Sequence, residues 1–277
     1  MLNVPDKGFT HGGRFHADDV FSTALLQILN PDFTVTRGFT VPENFDGIVY
    51  DIGDGEFDHH AKGSPVRESG VPYAAFGLLW RKYGAEYLGS EFEAKRFDDS
   101  YVSPLDLNDN TGAGDQLANY IASYNPAWDS NDTPDDCFAN AVAIAKDLLW
   151  HKLENIKSVM RAEGEVKAAL CKMKGGIVCL DRFAPWKQQV IQSRAKFVVY
   201  PSQRGGFCAQ AVPMTFGTQA LRIPFPAHWA GAAEAELPAI SGIETLRFCH
   251  AGRFMVTTGT KEDAIAACHA AQELQGE

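Results

Sequence analysis

Three potential metal ligands crowd one turn near the start of the chain. In THGGRFHADD, residues 10–19, His11, His16 and Asp18 lie within eight residues of one another. Imidazole nitrogen with carboxylate oxygen suits a borderline divalent cation such as Mn²⁺, Zn²⁺ or Fe²⁺. Taken alone, the segment reads equally well as a polar surface loop. Asp51 follows a compact Ile-Val-Tyr run and precedes Gly53, Asp54 and Gly55. It serves either as a ligand at a strand end or as a turn residue that caps the strand. Asp58-His59-His60 begins seven residues beyond Asp51 and can supply one metal ligand and one donor for a substrate oxygen, or can be a solvated loop. In LDLNDNTGAG, residues 105–114, either Asp106 or Asp109 could close a metal site, or both could belong to a helix-capping loop. Together the candidates gain weight, because each precedes residue 110 and stands at a loop or strand end. Such a set suffices for two metals. A pair of divalent ions about 3.5 to 4 Å apart generates a hydroxide nucleophile near neutral pH and clamps the attacking and leaving oxygens of a phosphoryl transfer.

These residues need elements to position them. The opening reads strand, turn, helix: a short run to Thr10, a glycine-bearing turn, then Val20, Phe21, Ala24, Leu25, Ile28 and Leu29 at helical spacing, stopped by Asn30-Pro31. Strands are predicted over 33–37 and 47–50, and strand-helix-strand order implies a parallel sheet. A turn at the carboxyl end of such a strand is where open α/β sheets place ligands. Helical patterns follow over 73–83, 91–97 and 116–123, and an almost unbroken one runs over 136–170 without proline. After Lys174-Gly175-Gly176 the texture changes to short β-branched or aromatic runs over 177–180, 197–200, 207–212 and 246–248, closed by a helix over 262–274. The expected architecture is α/β with two domains. A catalytic domain spans 1–170, with a mostly parallel sheet flanked by helices and the connecting helix 136–170, and a smaller α/β domain spans 171–277.

The 277 residues are 45% apolar and 22% charged, which excludes a disordered chain, and the net charge of −10 excludes a protein that coats nucleic acid by bulk charge. The acidity is local: residues 1–175 hold 27 acids and 16 bases, whereas 181–253 hold 8 bases and 4 acids. A phosphate backbone would have to lie in the second half, where Lys187, Arg204, Arg222, His250 and Arg253 are the candidate cations and Trp186 or Phe207 could stack on a base. The six cysteines occur singly, with no pair at the spacing of a zinc knuckle or redox dithiol, and read as reduced core thiols. No membrane-spanning run and no leader segment is visible, so a cytoplasmic location is expected. The oligomeric state is left open, with a homodimer among the alternatives.

The ordered series THGGRFHADD, IVYDIG, DHH and NDN resembles the DHH phosphoesterase superfamily, and within it the melanocyte-proliferating-gene exonuclease family. The likeness continues through APWK at 184–187, VVYPSQRGGFCAQAVP at 198–213, RIPFPAHWAG at 222–231 and FCHAGRF at 248–254. The resemblance implies a DHH domain carrying two Mn²⁺ ions, with Mg²⁺, Zn²⁺ or Fe²⁺ as alternatives, and a C-terminal domain closing over substrate. It implies that His11, His16 and Asp51 hold one ion, and that Asp18, Asp51, His59 and Asp109 hold the other, with Asp51 bridging. His60 would face the scissile phosphate beside Asp58, with Arg222, Arg253 and Lys187 holding the anion.

The implied activity is a metal-dependent phosphodiesterase, a 3′-to-5′ exonuclease on single-stranded RNA or short oligonucleotides. A phosphatase or pyrophosphatase acting on a small molecule is the alternative, since the same clamp serves any phosphoryl group. An inactive RNA-binding protein is a further alternative, and it would require a missing ligand.

Overall fold

Residues 2–61 and 63–274 are described here, from a computed structural model. The chain divides into two compact units, Met1–Ile156 and Lys157–Glu277.

In the first unit the glycine at position 8 and the buried Phe9 form a short strand, β1 (Lys7–His11). It pairs in parallel with β2 (Thr34–Gly38) on one side and β3 (Ile48–Val49) on the other, giving the order β2-β1-β3. Between β1 and β2 runs α1 (Ala17–Leu29), which buries Val20, Phe21, Ala24, Leu25 and Leu26. Each of the larger side chains, Val20, Phe21, Leu25 and Leu26, contributes about 1.5–3 kcal/mol on burial. The helix stops where the Asn30 N–H bonds to the Leu26 carbonyl and Pro31 follows. Helix α2 (Ala75–Leu88) ends on Gly89 in the left-handed region, and α3 (Glu91–Phe97) opens with the Ser90 hydroxyl accepting the Glu93 N–H.

The segment after α3 departs from the loop expected there. A π-helical turn (Asp98–Val102) leads directly into α4 (Ser103–Thr111), which Gly112 terminates at φ 70°. Its Asp and Asn content disfavours helix by propensity, but Val102 and Leu105 are buried and Asp106 is anchored from outside the helix. Helix α5 (Gln116–Ala122) is capped by Asp115.

The long helix α6 (Pro134–Cys171) contributes to each unit. Phe138, Ala141, Val142, Ala145, Leu149 and Leu153 lie in the core of the first, and Ala162 and Val166 in a core of the second. The units therefore part between Ile156 and Lys157, inside the helix and ahead of the boundary expected at 170.

The second unit is a five-stranded mixed sheet. Its strands are β4 (Ile177–Cys179), β5 (Phe197–Pro201), β6 (Phe207–Ala211), β7 (Leu246–Cys249) and β8 (Met255–Thr258), in the order β4-β5-β6-β8-β7. Only β4 and β5 are parallel. The short helices α7 (Lys187–Val190) and α8 (Leu237–Ser241) join them, and α9 (Lys261–Glu273) closes the unit. Strand β8 is absent from the sequence reading because four residues directly after a turn carry too short an alternation to register. Cys208, Cys249 and Cys268 are buried, Cys137 and Cys179 half-buried and Cys171 exposed; all six are free. Among the described residues no helix is long and apolar enough to cross a membrane.

Candidate metal centre

The end of β1, the turn before α1, the loop after β3 and the last turn of α4 bring donors to one cleft of about 750 Å³, lined by His11, His16, Asp51, His59, His60 and Asp109 among others. His11 is the last residue of β1. Its Nδ1 lies 3.1 Å from the Gly12 carbonyl, so Nδ1 keeps its proton and Nε2 is the nitrogen that can ligate once it gives up its own. Asp51, two residues past β3, adopts φ 58°, a left-handed conformation that Asp tolerates better than most residues. Its two oxygens diverge: Oδ2 lies 3.3 Å from His11 Nε2, and Oδ1 lies 3.2 Å from His59 Nε2.

His59 has the same tautomeric logic. Its Nδ1 donates to Asn110 Oδ1 at 3.2 Å, which frees Nε2 to face Asp51, Asp109 at 3.2 Å and Asp18 at 3.8 Å. Asp18, in the first turn of α1, is held rigidly, because its oxygens accept the backbone N–H groups of Ala75 and Phe76 at 2.9 and 2.7 Å. Those groups open α2, where the helix dipole favours a carboxylate.

Asp106 and Asp109 share α4 and take different parts. Asp106 is fully buried and accepts from Arg67 Nη2 at 2.7 Å and from the Gly77 N–H at 3.2 Å. Arg67 also grips Asp98 through two 2.7 Å bonds. A Cβ on Gly77 would fall 1.8 Å from Asp106 Oδ2, so only glycine lets α4 approach α2 this closely. This anchor sets Asp109, three residues along α4, against His59. His60 is pinned by Asp58: Oδ1 accepts the His60 backbone N–H and its Nδ1–H, at 3.1 and 2.7 Å, while Asp58 Oδ2 accepts the Asp54 N–H. The His60 ring itself is exposed.

The charges form a cluster short of cations. Burial, then the negative charges of Asp51 and Asp109, pushes Asp18 well above the ordinary carboxylate range. Burial pushes Asp19 up to about 7, with the His11 charge pulling it back. Asp109 rises for the same reasons, burial and then Asp51. Burial opposes ionisation of Asp51 too, but hydrogen bonds from His11 and His59 outweigh it and hold its carboxyl down to about 2. Conversely, burial would lower His11, yet the bond to Asp51 and the charges of Asp19 and Asp51 raise it to about 9. Among the described residues three donor groups could each hold a cation: His11 with Asp19 and Asp51; Asp18 with His59 and Asp109; and Asp51 with His59 and His60. Asp19 Oδ2 is buried without a hydrogen-bond partner, which is the state a metal ligand would show before its ion is drawn in. The donor set therefore fits divalent ions.

The second unit arranges its candidate cations less compactly. Arg222 is committed to the backbone: Nη1 donates to the Ser193 and Ala195 carbonyls at 2.7 and 2.6 Å and Nη2 to the Ile191 carbonyl at 2.5 Å. His250 and Arg253 share the turn between β7 and β8, and Arg253 takes φ 56° there. Arg204 lies in the turn between β5 and β6. The register Phe207↔Thr258 and Gln210↔Met255 puts these two turns at opposite ends of β6 and β8, separated by about 13 Å of strand. Lys187 opens α7 and is exposed. Trp186, expected as a stacking platform, is only 2% exposed and packs among Val178, Leu180 and Val190, so no base can lie on it; Phe207 is half-buried.

A family model described as Uncharacterised protein family (UPF0160), MYG1_exonuc, matches residues 8–271. The chain belongs to this family. The MYG1 family members that resemble it include the human "MYG1 exonuclease", 26% identical over 97% of this chain and 86% of the human protein. The "MYG1 protein" of Dictyostelium discoideum is 26% identical over 92% and 93% of the two chains. That of Chlamydia pneumoniae is 27% identical over 96% of each.

Three residues of the centre escaped the reading of the sequence. Asp19 was passed over because it neighbours Asp18, although adjacent residues in a helix point about 100° apart and reach different partners. Asn110 stands inside the quoted NDN but shows its part only through His59. Arg67 lies in a loop with no local signal at all.

Proposed function

We propose that this protein is a metal-dependent nuclease, a 3′-to-5′ exonuclease that shortens single-stranded RNA or short oligonucleotides, built on the DHH phosphoesterase plan. The observation that carries the reading is the divergence of the Asp51 oxygens, one toward His11 and one toward His59, as a carboxylate shared by two cations would require. The names of the mammalian relatives, "MYG1 exonuclease", support the same reaction class.

In this proposal His11 and Asp51, with a further donor from the start of α1, hold one ion, and Asp18, Asp51, His59 and Asp109 hold the second. The carboxylate-rich set suits Mn²⁺, with Mg²⁺ as the next choice. When bound, the pair supplies water activation near neutral pH and neutralises charge on the phosphoryl oxygens. The chain's own residues do the rest. Asp58 holds His60 Nδ1, so Nε2 is presented to the cleft, where it binds the scissile phosphate and delivers a proton to the leaving oxygen. Asn110 and the Gly12 carbonyl hold the two ligand imidazoles in the tautomers their roles need. His250, Arg253, Lys187 and Arg204 are the proposed contacts to the substrate's phosphates; Arg222 contributes by fixing the 191–195 segment.

The test offers end-labelled RNA and DNA of graded lengths, beside pyrophosphate, to the protein with Mn²⁺, Mg²⁺ or chelator. A one-nucleotide ladder receding from the 3′ end, abolished by chelator and by Asp109→Asn with the fold intact, is the expected result. Orthophosphate from pyrophosphate alone would replace the nuclease reading with that of a small-molecule phosphatase.

A further inference from the structure

Trp186 is buried and cannot carry a base, but the first unit offers another surface for one beside the metal centre. We propose that Arg14 and Phe39, at the turn that follows β1, form a subsite for one nucleotide: the Arg14 guanidinium takes a phosphate at the cleft and the Phe39 ring stacks on the base. This rests on the nuclease reading above and names the part of the substrate that the first unit holds.

Arg14 is the one permanent cation among the described residues that line the metal cleft. It is exposed, and no hydrogen bond or ion pair engages its side chain among the described residues, although Asp51, Asp58 and Asp109 line the same cleft. Those carboxylates face His11, His59 and His60 instead. The backbone on both sides of Arg14 is fixed. The Gly13 carbonyl accepts from Arg37 Nη2 at 2.9 Å, the Phe15 N–H donates to Asn125 Oδ1 at 3.0 Å, and the Phe15 carbonyl accepts from Asn125 Nδ2 at 2.8 Å. The Phe15 ring is fully buried and packs edge-on against Phe138. A guanidinium carried on a pinned backbone gives up only its own side-chain freedom on gripping an anion, and its planar fork matches two phosphate oxygens.

Phe39 follows β2 and is 82% exposed. Its ring carbons lie 3.3 and 3.4 Å from where a Cβ on Gly13 would stand, so the ring rests on the bare Cα of that glycine, at φ 78°, and leaves the rest of its surface in water. The segment that carries it follows the rim of the cleft. The Gly12 N–H donates to the Gly38 carbonyl at 2.8 Å, and the Val41 side chain packs against Gly53, which lines the cleft. Gly13 is two residues beyond His11, so their Cα atoms are at most about 7 Å apart. A phosphate at the metal centre and a base on Phe39 are therefore the two ends of a single nucleotide. Stacking on an aromatic ring asks nothing of the base's hydrogen-bonding edge, so the subsite accepts any of the four bases and disfavours a phosphate that carries none.

The test separates phosphate from base. Mn²⁺-loaded protein is titrated by calorimetry with adenosine 5′-monophosphate and with ribose 5-phosphate, which lacks the base, and bound Mn²⁺ is counted in each variant. The unaltered chain should bind the nucleotide about 5- to 150-fold more tightly than the sugar phosphate, the range that stacking one base spans. Phe39→Ala should erase that difference and leave the affinity for ribose 5-phosphate as it was, whereas Phe39→Trp should keep it. Arg14→Gln should weaken both ligands about tenfold or more with the Mn²⁺ count intact. Both side chains are exposed, so the variants should keep the melting temperature of the unaltered chain. Equal affinity of the unaltered chain for the two ligands, a Phe39→Ala variant that still prefers the nucleotide, or an Arg14→Gln variant that binds both as tightly overturns the subsite. Turnover of end-labelled RNA reads the nuclease separately. A one-nucleotide ladder whose KM is the same in Phe39→Ala overturns the subsite and keeps the nuclease; a Phe39-dependent preference for the nucleotide with no ladder overturns the nuclease reading alone.

Discussion

Binding of the divalent ions should expel protons, and His11 sets the size of the effect. Burial would lower the His11 imidazole, but its bond to Asp51 and the charges of Asp19 and Asp51 raise it to about 9. At pH 7.5 about 97% of such a group is protonated, and a metal must displace that proton before it can use Nε2. The displacement weakens apparent affinity about 30-fold, close to 2 kcal/mol, relative to solutions above pH 9. The sign follows directly. Affinity falls as pH falls, by about tenfold per unit for each proton displaced, and levels off once pH passes about 9. His59 is also raised: burial would lower it, but its hydrogen bond to and the charge of Asp51 prevail, so it adds to the release in the same direction. Calorimetric titration with Mn²⁺ at pH 7.5, in two buffers of different ionisation enthalpy, reads the number of protons released. More than one is expected, because His59 and the raised carboxyls of Asp18 and Asp109 add to His11, and His11→Gln should remove about one. Binding with no proton released, and an apparent Kd unchanged from pH 6.5 to 8.5, would refute the assignment of His11 as a ligand.

Other parts of the centre make further predictions. Arg67→Met leaves the fully buried Asp106 without its cation and should cost about 3–5 kcal/mol of stability in urea denaturation; a loss under 1 kcal/mol would show that the pair does not hold α4 in place. Gly77→Ala puts a Cβ 1.8 Å from Asp106 Oδ2, so it should destabilise by about 1–3 kcal/mol despite the better helix propensity of alanine, with weaker Mn²⁺ binding as α4 and Asp109 shift. Asn110→Ala frees His59 to change tautomer and should weaken Mn²⁺ about 10- to 100-fold in the same calorimetric titration, with the melting temperature of the stripped protein little changed. Asp58→Asn removes the charge that orients His60. It should lower kcat with the Mn²⁺ count intact, and loss of an ion instead would place Asp58 among the groups that hold the metals.

The ordered motifs and their positions at strand ends were legible in the sequence, because they depend on residues adjacent in the chain. Although the structure extends the first strand to His11 and starts the helix at Ala17, a strand running to Thr10, a helix carrying Val20 to Leu29 and a strand that ends before Asp51 follow from local apolar spacing and turn chemistry. So did the family, whose signature runs the length of the chain. Choices between like residues were left to the tertiary structure. Asp106 and Asp109 are both carboxylates on α4, yet Arg67 from a distant loop claims one and His59 faces the other. Asp18 and Asp19 look interchangeable until α2 and β1 meet them on different sides. Arg222 and Trp186 have the residue types of a phosphate clamp and a stacking platform, but backbone carbonyls engage the first and apolar neighbours bury the second. Residue type and local pattern determine what a side chain can do. Which partner it meets, and how much water it keeps, depends on segments far away in the chain, and that decides what it does.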